Sequence, residues 1–170
     1  AALPGLQLTG IDLDAEWLTF DRSCDEHSTY LQADALDLPF ADNSFDHVFS
    51  VAALCFTTDW RKAVVKIVRV SRKNFAIGLL NRHSLLWFEK GRIGGSGGCR
   101  GAIWLSPEEL RGSVKGLPVA NVRLRSAVFL PSGSSIAHVA ECILPNIVPW
   151  GGFMLLAGEK TLFGDGSTSN

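Results

Sequence analysis

The chain has 170 residues, enough for one domain, and its hydrophobic content of 46% suits a folded core. A formal net charge of -1 leaves no basic footprint, so nucleic-acid binding has no electrostatic support. The longest apolar tract, Ile143 to Ala157, is broken by Pro145, Pro149, Gly151 and Gly152, and is too short to cross a hydrocarbon layer of about 30 Å.

Strands and helices alternate along the chain. Leu6 to Leu13 is a short β run, and Asp14 is placed to cap a helix beginning at Ala15. Tyr30 to Gln32 is a second short strand, ending near Asp34. Phe45 to Leu54 is a nearly continuous apolar run, as expected of a strand buried on both faces of a parallel sheet. A helix is predicted over Asp59 to Val70, with Trp60, Ala63, Val64 and Ile67 on its apolar face. Phe75 to Leu80 is the next buried strand, and Asn81, Arg82 and His83 follow at its carboxyl end.

Ser84 to Glu89 predicts a helical turn, while Gly91 to Gly101 is too glycine-rich for a regular element. Ser106-Pro107-Glu108-Glu109 spells a helix start with a capping box. Two late strands are expected over Asn121 to Leu130 and Phe153 to Lys160, with a helical stretch over Ser134 to Cys142 between them. A polar tail, residues 164–170, is expected to be disordered, leaving 1–163 as the domain. This order argues for an α/β three-layer fold with the strand ends on one edge.

At that edge ligands bind. Asp12, closing the first strand, suits the vicinal hydroxyls of a ribose. Asp34 beside Ala35 offers a carboxylate and a backbone N–H to the edge of adenine, whose amine donates and whose ring nitrogen accepts. Asn81 and Arg82 point toward a second ligand, Arg82 as a partner for carboxylate or phosphate. His83 is the candidate general base. Asp46 reads as structural, hydrogen-bonded to a loop backbone.

Gly91 to Gly101 lacks the GK[ST] of a phosphate loop and reads as a lid or substrate loop, flanked by Arg100 and Trp104. Four cysteines, Cys24, Cys55, Cys99 and Cys142, are widely spaced with no CxxC, so no metal site is expected. They read as buried or half-buried thiols of a reducing, cytoplasmic setting.

On these residues the chain resembles the class I S-adenosylmethionine-dependent methyltransferases, in the type 11 group that includes ubiquinone/menaquinone-biosynthesis enzymes. The matching pieces are Gly10-Ile11-Asp12-Leu13, Ala33-Asp34-Ala35, Leu38-Pro39-Phe40, Phe45-Asp46 and the helix end Ile67-Val68-Arg69-Val70. The resemblance implies a three-layer Rossmann-like fold and S-adenosylmethionine as cofactor. It assigns Asp12 and Leu13 to the ribose, Asp34 and Ala35 to adenine, and Ser50 and Val51 to the methionine side. Asn81, Arg82 and Arg100 fall on the side of a small-molecule substrate. It leaves the oligomeric state open.

Two departures stand out. Leu54-Cys55-Phe56 stands where many relatives carry Leu-His-His, so no histidine is assigned there. The family's glycine-rich loop, with its first strand and helix, falls before Leu6, where only five residues stand. The chain is therefore expected to be a fragment, inactive and unable to bind S-adenosylmethionine alone, with two strand edges left unpaired. The alternatives are a nicotinamide-dependent oxidoreductase, against which the lack of a Tyr-x-x-x-Lys pair counts, and a non-catalytic α/β remnant.

Overall fold

The computed structural model describes residues 5–25, 27–92, 97–128 and 150–161. The chain divides into two compact units, Ala1–Phe40 and Ala41–Asn170. Strands β1 (Thr9–Asp12) and β2 (Thr29–Gln32) of the first unit pair in parallel, Asp12 opposite Gln32, and helix α1 (Ala15–Cys24) links them. Asp14 starts α1 as its sequence requires: its side chain accepts from the Glu16 N–H. At the other end Arg22 donates to the Tyr30 carbonyl at 2.7 Å. Gly10 is needed where it stands, because a Cβ there would lie 2.7 Å from the Tyr30 ring.

The second unit is built on a four-stranded sheet ordered β3-β4-β6-β5: β3 (Phe45–Val51), β4 (Ser71–Leu80), β6 (Phe153–Lys160) and β5 (Val119–Ala127). Strands β3 and β4 run parallel, and β6 runs antiparallel to both of its neighbours. Helix α2 (Trp60–Val70), capped by Asp59, buries Trp60, Ala63, Val64, Ile67, Val68 and Val70. That is the predicted face, widened by two valines. Central β4 buries Phe75, Ile77, Leu79 and Leu80, and β6 buries Met154 and Leu156. Lys160, at the end of β6, donates to the carbonyls of Val68 and Arg69, so a strand end caps α2 at its negative pole.

Three expectations need correction. β3 stops at Val51 rather than Leu54, because Ala52 takes the left-handed conformation (φ 62) and a 3₁₀ turn, Ala53–Phe56, follows. Nor is β3 buried on both faces: Phe49 is 65% and Val51 58% exposed, alternating with half-buried Val48 and Ser50. β4 begins at Ser71, four residues before the apolar run. Arg72 and Lys73 read as loop by polarity, yet they sit in the strand because Asp46 of β3 meets both charges, at 2.7 and 3.0 Å. Asp46 is therefore structural as expected, but through side chains and not a loop backbone. Hydrogen bonds from Arg72 and Lys73 hold its carboxyl below the usual range.

Helix α4 (Pro107–Gly112) starts on the predicted cap Ser106, and helix α3 (Leu85–Lys90) starts one residue after the expected turn begins, with Ser84 as its cap. β5 spans Val119–Ala127, two residues earlier at its start than expected, with a bulge at Asn121 (φ 53) that interrupts its pairing with β6. The helical stretch predicted over Ser134 to Cys142 and the tail lie outside the described residues.

Candidate functional site

In the first unit, parallel pairing brings the carboxyl ends of β1 and β2 to one edge, and the two acidic residues singled out from the sequence stand there. Asp12 is exposed; one carboxylate oxygen accepts from the Asp14 N–H at 2.8 Å. Its backbone carbonyl accepts from the Ala33 N–H at 3.0 Å, which ties the end of β1 to the residue preceding Asp34. Asp34 is exposed as well; one carboxylate oxygen accepts the Leu36 N–H at 2.8 Å, and its backbone carbonyl accepts the Asp37 N–H to close a turn. Each carboxylate thus has one oxygen fixed by the backbone, which sets its orientation, and both face solvent. Leu13 is 67% exposed beside Asp12, and Ala35 is half-buried beside Asp34. The donor set fits a ribose diol and an adenine edge.

A glycine-rich cradle is another matter. Among the described residues, no strand-to-helix turn carries one: Leu13-Asp14 joins β1 to α1, and Asn81 to Ser84 joins β4 to α3.

In the second unit the same polarity places Ser50, Val51 and the left-handed Ala52 at the carboxyl end of β3. A non-glycine residue in that region costs about 1 kcal/mol and is held by its surroundings. Here the Ala52 N–H donates to Gly78 and its carbonyl accepts from Cys55.

At the end of β4, Asn81 is fully buried. Its amide donates to the Gly151 carbonyl at 2.8 Å, its oxygen accepts from the His83 N–H, and its backbone carbonyl accepts the Ser84 hydroxyl that caps α3. The substrate role expected of Asn81 thus gives way to framing, since a side chain with no exposed surface and both amide ends engaged shapes the turn that presents its neighbours. Arg82 is half exposed and its guanidinium pairs with Glu109 at 2.9 Å. His83 is exposed. Arg100 is exposed in the turn after the glycine-rich segment, and Trp104 is buried.

Sequence reasoning missed how Leu105 adds to the sheet. It bridges to Asn81 in parallel, with Leu105 N–H donating to Leu80 and Arg82 N–H donating to Leu105. This strap brings α4 to the end of β4. Glu109 then serves twice: it accepts the Ser106 N–H to close the capping box, and it accepts Arg82. The Ser106 N–H first, and the Arg82 charge after it, hold its carboxyl below the usual range. The capping box was visible as Ser-x-x-Glu, but nothing in that spacing signals a second partner.

Among the described residues no helix is long and apolar enough to cross a membrane, and no cluster of three potential metal ligands occurs.

Comparison with known proteins finds relatives of this fold. A family model described as a methyltransferase domain matches residues 1–76. The structure of a SAM-dependent methyltransferase from Thermotoga maritima superposes with a TM-score of 0.74 at 23% identity, covering 89% of this chain and 72% of that one. The fold is the Rossmann-like fold of the methyltransferases, and residues 1–76 are similar in sequence to a methyltransferase domain. An O-methyltransferase of Aspergillus nomiae, rstn1, is 36% identical over 73 residues, 39% of this chain and 32% of the relative. An uncharacterised protein of Mycobacterium tuberculosis is 35% identical over 85 residues, 48% of this chain and 31% of that protein. The chain thus spans about a third of the length of the curated relatives it matches. The methyltransferase match by sequence takes in β1 to β3, the part that holds both exposed carboxylates.

Proposed function

We propose that this methyltransferase chain serves S-adenosylmethionine-dependent methyl transfer to a small-molecule acceptor. One observation carries the reading: two exposed, backbone-oriented carboxylates, Asp12 and Asp34, stand at the carboxyl ends of adjacent parallel strands. Asp12 with Leu13 would hold the ribose, Asp34 with Ala35 the adenine, and Ser50 and Val51 the methionine side. The cofactor supplies an electrophilic methyl on a sulfonium; the chain supplies orientation and exclusion of water. Arg82 and Arg100 are proposed to meet the acceptor. His83, exposed on a turn held by Asn81, would take a proton from an acceptor that must lose one. A reducing, cytoplasmic setting goes with this reading.

Cofactor affinity of these residues alone is proposed to be weak, because both carboxylates face solvent, where each hydrogen bond to a ligand competes with water. The test must therefore register weak binding. Backbone amide shifts followed by NMR at millimolar S-adenosylhomocysteine should move at Asp12, Leu13, Asp34 and Ala35, and D12N should lose that response. Larger shifts at the same amides with NADH would favour the oxidoreductase reading instead. Silence at all four amides with either ligand would leave a non-catalytic α/β domain.

A further inference from the structure

Arg82 is tied to one strap by both its backbone and its side chain. Its backbone N–H donates to the Leu105 carbonyl at 2.9 Å, and the Leu105 N–H donates to Leu80 at 3.0 Å. The next residue, Ser106, donates its own N–H to Oε2 of Glu109 at 2.8 Å, and that same oxygen accepts Nη2 of Arg82 at 2.9 Å. The hydrogen bonds therefore close a ring that runs from the Arg82 backbone through Leu105, Ser106 and Glu109 to the Arg82 guanidinium. Glu109 has little freedom of its own, because its backbone N–H is held by the Ser106 hydroxyl at 3.2 Å. On the other side of Arg82, the Asn81 N–H donates to Gly152 and the Asn81 amide to Gly151. The side chain leaves a backbone that is fixed before and after it.

Stability does not account for this arrangement. An ion pair whose side chains are 44% and 35% exposed adds little, since water screens it. What the ring does is orient. A free arginine samples many rotamers, and ordering one on binding weakens a complex; here the ordering precedes the ligand. Glu109 takes a single corner of the guanidinium. Among the described residues no hydrogen bond engages Nε or Nη1, so the rest of the fork stays available beside exposed His83.

The anion that suits this fork is a carboxylate. Parallel N–H groups of a guanidinium match two oxygens lying in one plane. Glu109 already cancels the charge of Arg82, so a doubly charged phosphate would find donors but no net positive charge in the pair itself. We propose that Arg82 docks a carboxylate of the acceptor and that Glu109 is its positioning residue, which makes the acceptor class a small carboxylic acid. The methyl-accepting atom lies elsewhere on that molecule, because oxygens bound in the fork have their lone pairs engaged. The inference rests on the reading that Arg82 meets the acceptor. With one end of the acceptor fixed, the span from carboxylate to nucleophile decides which acids reach the methyl group.

The probes are sodium benzoate and inorganic phosphate, titrated into the whole chain at constant ionic strength and neutral pH while NMR follows the Arg82 side-chain Nε–H and the backbone amides of Arg82 and His83. Benzoate should give saturating shifts at all three, and phosphate should not. Arg82→Lys, which keeps the charge and loses the fork, should abolish saturation. Glu109→Gln separates positioning from charge. Removing a negative charge beside Arg82 would by itself tighten anion binding, whereas loss of positioning should weaken benzoate by about threefold to tenfold. Unchanged amide shifts along β4 in that variant will show that the frame is intact. No cofactor is present, so failure here leaves any S-adenosylhomocysteine response at Asp12 and Asp34 standing, and silence at those residues leaves an Arg82 response standing. No saturation with benzoate, equal saturation with phosphate, an undiminished response in Arg82→Lys, or benzoate binding as tight or tighter in Glu109→Gln would each overturn the proposal.

Discussion

The two units handle their apolar residues in opposite ways. Among the described residues of Ala1–Phe40 only Leu18 and Leu38 are buried, while Leu6, Leu8, Leu13, Trp17, Phe20 and Leu31 are exposed. In Ala41–Asn170 a continuous set, from Leu54 through Ile77 and Leu110 to Leu156, is almost completely removed from water. A two-stranded sheet is marginal by itself, whereas four strands with a packed helix bury enough to persist. The unit with the two candidate cofactor carboxylates is therefore the weakly cored one, and the well-cored unit supplies the framework at the end of β4. Ligand-contacting regions drawn from the low-stability end of a molecule are the usual arrangement.

The largest test of this contrast is a matched pair of truncations. Leu156→Ala should lower the urea-unfolding free energy by about 3 kcal/mol, from lost transfer energy and the cavity left behind. Leu18→Ala should leave that main transition almost unmoved and instead speed hydrogen exchange in β1 and β2. An equal loss in both would mean that the two units unfold as one. Next comes Asn81→Ala, which strands the Gly151 carbonyl and the His83 N–H. It should cost about 2 kcal/mol by the same measurement and broaden the His83 resonances.

Lys160→Met keeps most of the stem but leaves the last carbonyls of α2 without their ammonium. A loss of about 1 kcal/mol in thermal or chemical melts is expected. The smallest effect concerns Glu109. Its carboxyl is held low in the folded chain, so its contribution is present above the ordinary carboxylate range and is lost as pH falls through that range. Melts of the wild type and Glu109→Gln should therefore differ at neutral pH and converge in acid. The difference should be modest, because the pair with Arg82 is about a third exposed or more.

Local signals were the legible ones. Asp14 and Ser106 each announce a helix start, and each caps one. The strand from Phe153 to Lys160 falls where its apolar run says it should. What polarity hides is compensation at a distance: Arg72 and Lys73 become strand residues because of Asp46, 26 and 27 positions earlier. Burial was misjudged for the same reason. Phe49 and Val51 look like core in sequence, but a side chain is buried only if another element covers it, and Cys24, expected to be at least half-buried, is exposed. At the site, the acidic strand ends were readable from spacing, whereas the fate of Asn81 depends on Gly151, 70 positions away.

Gly151 and Gly152 sit where the surrounding atoms leave no room for a side chain. A Cβ on Gly151 would lie 2.4 Å from the Ala127 carbonyl oxygen, and one on Gly152 would press on Leu86. The Gly152 N–H donates to Val128, and its carbonyl accepts from Asn81. Residues 128 and 152 are thus held together where β5 ends and β6 begins. Ring closure at that junction is already accounted for in the fold, and doubling an insert adds only about 0.6 kcal/mol. The register of β5 against β6 is therefore held from Ala127 and Phe153 inward, by pairs that do not depend on the length of the connection.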